Sequence, residues 1–214
     1  MWSSSKGEKN TEARRKELLE KGYELFSDNS IEAISMRNVA SAVGCSSVSI
    51  YRYYSSKPEF VVAVATWKLE QFQEKNRKRR PKTNFDGMTA AETFEFYLDS
   101  FLMMYKNNKD LLRFNQFFNV YVESEHIDAD TLKPYNQMIE RLREQFHNMY
   151  LKAEQDKTLR TDDPEEKMFS KTLHLMLAAV TRYAVGLVYI PENGFDAMEE
   201  LEFQKELILE KYKI

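Results

Sequence analysis

The chain has 214 residues, of which 43% are hydrophobic, and Gly and Pro number only 6 and 5. That composition supports a packed core, argues against global disorder and a loop-rich β-sandwich, and fits long helices joined by short turns. Cys45 is the single cysteine, which excludes an intrachain disulfide framework or a Cys-based zinc site and points to a reducing compartment, here expected to be the cytoplasm. The net charge of −3 is unevenly spread. Residues 1–80 carry 15 Lys and Arg against 10 Asp and Glu, and the remainder 16 against 24. A basic first third suits contact with phosphate, which depends on local potential rather than net charge. The run at 75–80 supplies five of those positives, so the asymmetry alone leaves chance open.

The first ten residues, MWSSSKGEKN, lack the apolar core of a signal peptide and are expected to form a loose arm. Leu18, Leu19, Gly22, Tyr23 and Phe26 recur at helical spacing and predict a helix over 11–27. Ser35 is placed to cap a short helix over 36–43 whose inward side carries Met36, Val39, Ala40 and Val43. Gly44 ends it, since glycine takes the left-handed conformation without steric cost. Ser46 is placed to cap another short helix through about Tyr53. Ser56, Lys57, Pro58 and Glu59 have the form of a capping box, with proline inside the first turn of a long helix bearing Phe60, Val61, Val64 and Trp67. Two short helices about four residues apart around a glycine form a helix–turn–helix, the unit that lays its second helix in the DNA major groove.

Past the basic run and Pro81 the chain turns to aromatic-rich helices. Thr89 and Glu92 frame a second capping box, opening a helix to about Lys106. Further helices are expected over 108–122 and, with Pro134 near its start, over 129–155. Asp163 is expected to cap a helix that has Pro164 in its first position and Glu165 and Glu166 in its first turn. That helix would run to about Tyr189 and stop before Pro191, with a turn at Asn193-Gly194 and a last helix over 195–212. The stretch 173–190 is strongly apolar, but His174, Thr181 and Arg182 interrupt it, so a buried helix explains it better than a membrane span. No period-two pattern and no internal repeat stands out. The fold class is all-α, with about nine helices.

The stretch 34–62, ISMRNVASAVGCSSVSIYRYYSSKPEFVV, resembles the DNA-binding signature of the TetR family. Ser35, Met36, Arg37, Val39, Ala40, Gly44, Ser46, Tyr51, Tyr53, Tyr54 and Lys57 fall on the family pattern without a gap, and clear resemblance covers about residues 11–65. The resemblance implies a three-helix DNA-binding domain at 11–56, a connecting helix at 57–80 and an effector-binding and dimerisation domain at 81–214. It also implies a homodimer formed through the helices at 164–189 and 195–212. Residues just after the cap of a recognition helix meet base edges, which places Ser47, Val48 and Ser49 at the bases beside the capping Ser46. Arg37 would contact guanine or phosphate. Ser35, Tyr51, Arg52, Tyr53 and Lys57 are the expected phosphate anchors. Two departures bear on specificity: Ser47 and Val48 stand where many members have Lys or Gln and Gly or Pro, which shifts weight towards readout of DNA shape. Tyr53 stands where His is common, and a phenol can also donate to phosphate.

Tyr97, Phe101, Met104, Phe117, Tyr121, Met138, Met176 and Tyr183 are the candidate lining of a pocket for an apolar or cationic effector, although such residues equally well fill a helical core. His126, His147 and His174 are far apart in sequence, and no phosphate loop, nucleophile elbow or metal motif appears. No cofactor, metal or catalytic constellation is therefore expected, and an enzyme is disfavoured. The expected function is a repressor released by a small molecule from double-stranded operator DNA whose half-sites lie roughly 34–36 Å apart. The alternative is an architectural or protein-recruiting factor with the same DNA module and no small-molecule effector.

Overall fold

A computed structural model of the chain describes the backbone of residues 4–79, 87–186 and 188–214, and the side chains of 11–78, 87–186 and 188–214. Among the described residues there are nine α-helices and one isolated bridge, Leu159 to Lys213. The helices are α1 (Ser4–Asp28), α2 (Met36–Ala42), α3 (Ser47–Tyr51), α4 (Lys57–Arg79), α5 (Ala90–Asn107), α6 (Lys109–Ser124), α7 (Ala129–Asp156), α8 (Glu165–Val185) and α9 (Ala197–Tyr212). None is long and apolar enough to cross a membrane. The proposed division at 80/81 lies outside the described residues, as does Leu187.

Five local expectations are corrected. The segment expected as a loose arm is helical from Ser4; it contains no proline, and extending an existing helix costs far less than nucleating one. The recognition helix α3 ends at Tyr51 rather than Tyr53. Helix α8 ends at Val185, not near Tyr189, because Gly186 takes φ +96° and its N–H turns back to the Arg182 carbonyl at 3.4 Å. Asp163 does not cap α8. Pro164 holds the cap position without a side-chain acceptor, and Asp163 Oδ2 instead accepts from Lys171 Nζ at 2.8 Å and Tyr212 OH at 3.0 Å. The box at α4 is also offset: Ser56 Oγ accepts from the Glu59 N–H, but Glu59 Oε2 takes the N–H and hydroxyl of Ser55. At Thr89 both halves of the expected box are present.

The chain divides into two compact units, residues 1–73 with 114–138 and residues 74–113 with 139–214, so α4, α6 and α7 contribute to both. In the first unit Leu18, Phe26, Phe60, Val61, Val64, Phe114 and Met138 are fully buried. Each large side chain removed from water contributes about 1.5–3 kcal/mol. Gly22 lets α1 and α4 approach closely, since a Cβ there would lie 2.5 Å from Phe60 Cζ. Tyr23 on α1 meets Phe114 on α6 edge to face at 5.3 Å.

In the second unit α5, α8 and α9 pack on one another. Phe94 is the hub, with ring contacts to Phe146 at 6.2 Å and Tyr212 at 5.9 Å. Lys205, mostly buried, ties α9 to α5 through Asp99 at 2.7 Å and Glu95 at 3.7 Å. The start of α5 is capped from afar: Asp156 Oδ2 accepts the Ala90 N–H at 2.7 Å, and Thr158 Oγ1 accepts the Ala91 N–H at 3.0 Å. Burial pushes the Asp156 carboxyl up, but hydrogen bonds from the Ala90 N–H and Thr158 outweigh it and hold the pKa below its ordinary value. A depressed carboxyl pKa stabilises the fold above the unfolded value of about 4, and that contribution is lost as pH falls through the folded pKa. Asp156→Ala is therefore expected to cost about 1–2 kcal/mol at pH 7, read as a lower urea midpoint, with the gap from wild type narrowing under acid. An unchanged midpoint at pH 7 would contradict the capping role.

Candidate nucleic-acid interface

Helices α2 and α3 are too short to persist alone, because one or two turns barely offset the cost of nucleation. Their geometry comes from caps and from the floor beneath them. Ser35 caps α2 reciprocally with Asn38: the Asn38 N–H donates to Ser35 Oγ at 3.2 Å and the Ser35 N–H to Asn38 Oδ1 at 2.8 Å. A Schellman turn closes the other end. Gly44 takes φ +70°, its N–H donates to the Ser41 carbonyl at 3.1 Å, and the Cys45 N–H reaches the Ala40 carbonyl at 2.9 Å. Arg14 of α1 braces this turn with a 3.4 Å hydrogen bond to the Val43 carbonyl. Ser46 then caps α3, accepting from the Ser49 N–H at 3.2 Å.

The floor is apolar. Met36, Val39, Ala40, Ile50 and Tyr54 are buried, and Tyr54 packs edge to face on Phe60 at 4.9 Å, with Phe60 in turn 5.9 Å from Phe26. Val43, expected in the core, is half-buried, because it is the C-cap just beyond α2 and joins the turn.

The expected contact residues fall into three groups. Arg37, Val48, Tyr51 and Arg52 are exposed, Val48 to 74% and Tyr51 to 51%. Ser47, Ser49 and Tyr53 are half-buried, and the hydroxyls of Ser46 and Ser49 lie 2.9 Å apart, so their hydrogen-bonding capacity is already shared. Ser35 is occupied by its cap. Lys57 is drawn inward: Nζ donates to the Glu32 carbonyl at 3.3 Å and sits 5.5 Å over the Tyr121 ring. Burial lowers its pKa, while Glu32 and Glu125 oppose that shift. The bracing role of Arg14 carried no sequence signal, since it lies among alternating charges on α1 and meets its partner 29 residues away.

Residues 18–64, which span this assembly, match the model for bacterial regulatory proteins of the tetR family. The match covers the helix–turn–helix together with the parts of α1 and α4 that flank it. No curated protein sequence matches it. The fold of the chain as a whole is similar to that of solved transcriptional regulators. A protein from Saccharomonospora viridis, solved in complex with choline, superposes with a TM-score of 0.72 at 14% identity, over 95% of this chain and 99% of that one. The regulator FadR of Bacillus subtilis, in complex with stearoyl-CoA, gives 0.69 at 13% identity over 91% and 97%. The ketosteroid regulator KstR2 of Mycobacterium tuberculosis gives 0.63 at 16% over 94% and 95%. At such identities the likeness is one of fold.

Of the eight candidate effector-site residues, Tyr97, Phe101, Met104, Met176 and Tyr183 belong to the second unit, and Phe117, Tyr121 and Met138 to the first. Met104, Met176, Tyr121 and Met138 are buried. Two hydroxyls are engaged, Tyr97 with the Gln145 carbonyl at 3.2 Å and Tyr183 with Glu200.

The turn gives a direct test. A Cβ on Gly44 would meet nothing within 4 Å, so the only penalty for Gly44→Ala is the left-handed backbone, about 1–2 kcal/mol. A thermal midpoint equal to wild type would mean that the turn is not held in this form.

Proposed function

We propose that the chain is a transcriptional repressor of the cytoplasm, binding a pseudo-palindromic operator as a homodimer and released by a small-molecule effector. The observation that carries the reading is the capped helix–turn–helix over an apolar floor, with Arg37, Val48, Tyr51 and Arg52 turned out to solvent. Arg37 and Arg52 carry the charge that phosphate or guanine requires, and Val48 suits a thymine methyl. With Ser49 tied to Ser46, direct readout rests on few groups, which favours a share for DNA shape.

Dimerisation is assigned to α8 and α9. Leu175 on α8 is 59% exposed, and Phe203 and Leu207, one turn apart on α9, are 60% and 49% exposed. Large apolar side chains grouped on helix faces in this way mark interaction surfaces, and a second copy of the chain offers the same surface by symmetry. The effector is assigned to the second unit. Its buried Thr172 Oγ1 has no hydrogen-bond partner among the described residues, and an unsatisfied buried hydroxyl costs about 1–3 kcal/mol that a ligand donor or acceptor would recover. That two similar structures hold choline and stearoyl-CoA supports a small molecule as the effector. The effector would act by binding the DNA-competent and DNA-incompetent dimers with different affinity.

Retention of genomic fragments on purified protein at two salt concentrations tests DNA recognition. One or a few palindromic sites surviving the higher salt is the expected result; sequence-blind retention lost with salt would leave only phosphate contacts and overturn the repressor reading. Arg37→Ala and Arg52→Ala should each flatten the salt dependence by roughly 1.8 in slope if each meets a phosphate, because the dimer loses one contact in each subunit. For the interface, Phe203→Lys with Leu207→Lys is expected to halve the mass in light scattering and abolish operator binding while leaving the helical circular dichroism intact. A dimer that survives both charges would place the interface elsewhere.

A further inference from the structure

Lys57 opens α4, where a cation faces the positive end of the helix dipole, an unfavourable position. Its ammonium, half-buried, is nevertheless engaged within the chain. It donates to the Glu32 carbonyl in the α1–α2 loop and lies over the Tyr121 ring within cation–π range. Tyr121 is 2% exposed, on α6, and belongs to the same compact unit. Burial, with Glu125 and Glu32 adding to it, pushes its hydroxyl up to about 12, so the ring stays a neutral phenol.

Glu125 lies in the turn that ends α6, and its charge opposes the lowering of the Lys57 pKa. His126 takes φ +49°, its N–H donates to the Glu123 carbonyl, and the Ile127 N–H reaches the Val122 carbonyl at 3.2 Å, a Schellman closure built without glycine. The Glu125 N–H itself donates to the Tyr121 carbonyl at 3.0 Å. Ring and carbonyl thus meet one ammonium, from the end of α6 and from the α1–α2 loop, and the charges of Glu32 and Glu125 favour its protonated form.

We propose that Tyr121, Glu32 and Glu125 form a restraint that holds Lys57 back from phosphate, so that the end of α6 sets how much positive charge the helix–turn–helix offers to DNA. The proposal rests on the reading of α2 and α3 as the DNA-binding unit. Lys57 is then a positioning residue whose availability is regulated, and Arg37 and Arg52 form the constant part of the contact. Loosening the restraint adds one phosphate contact without touching the recognition helix. Specific and non-specific DNA gain equally, because phosphate carries no sequence information.

The test is a double-mutant cycle read by fluorescence anisotropy on two duplexes, the operator recovered above and a scrambled copy, across a salt series. Glu125→Gln, an exposed and mild change, is expected to tighten binding to both duplexes about three- to sixfold near ~0.15 M salt and to steepen the salt slope by up to about 1.8, one added phosphate in each subunit of the dimer. Tyr121→Leu should do the same, with its thermal midpoint measured alongside because the site is buried. In a Lys57→Met background both effects should vanish. Equal tightening by Glu125→Gln with and without Lys57 would mean a general field effect and overturn the proposal, as would no tightening at all. Absence of wild-type binding to either duplex would instead take down the DNA-binding reading and the proposal with it. Binding by wild type with additive variants takes down the proposal alone.

Discussion

The contact of Phe60 with Gly22, Phe26 and Tyr54 is what the DNA-binding half of this protein hangs on. Helices α2 and α3 contain seven and five residues, below the length at which backbone hydrogen bonds hold a helix together. They keep their shape because Val39, Ala40, Ile50 and Tyr54 are pressed onto a floor made by α1 and α4. That floor exists only because a glycine in α1 admits the Phe60 ring; a methyl group there would overlap it. The exposed arginines and Val48 are therefore positioned by packing one layer below, and their spacing is a property of the core.

Most of the N-terminal module was legible because its determinants are local. A Ser cap bonds to an N–H three residues on, and a glycine turn bonds to carbonyls three and five residues back, so Ser35, Gly44, Ser46 and Thr89 could be read from residue type and offset alone. Where the partner is distant, the reading failed. Asp163 looked like a cap from its neighbours, yet it is held by Tyr212, and the residue that does cap a distant helix start is Asp156. The apolar run towards Tyr189 looked helical throughout because hydrophobic periodicity does not register one left-handed glycine at 186.

The candidate site shows the same division. Which residues are exposed on α2 and α3 followed from helical periodicity, but the engagement of Ser49 with Ser46 and of Lys57 with Tyr121 required the fold. The effector residues were the least legible. Aromatic and methionine side chains carry no positional code, and eight chosen by composition divide between two compact units. Thr172, a modest residue in an apolar helix, drew no notice in the sequence, yet its buried hydroxyl is without a partner among the described residues.

The long-range cap on α5 bears on how the second unit assembles. The acceptors for Ala90 and Ala91 lie 66 and 67 residues further along the chain, and the same loop takes a backbone hydrogen bond from Ile214 to the Thr158 carbonyl and gives one from Arg160 to Tyr212. A nascent chain can wind α5 but cannot close its first turn until the loop after α7 arrives, and that loop is itself clasped by the last residue of α9 and by Ile214 beyond it. Closure across such separations is slow and cooperative. The loop at 156–160 is accordingly the keystone of that unit: a protease cut there would release the cap and the clasp together, and limited digestion should find the unit resistant until it opens as a whole.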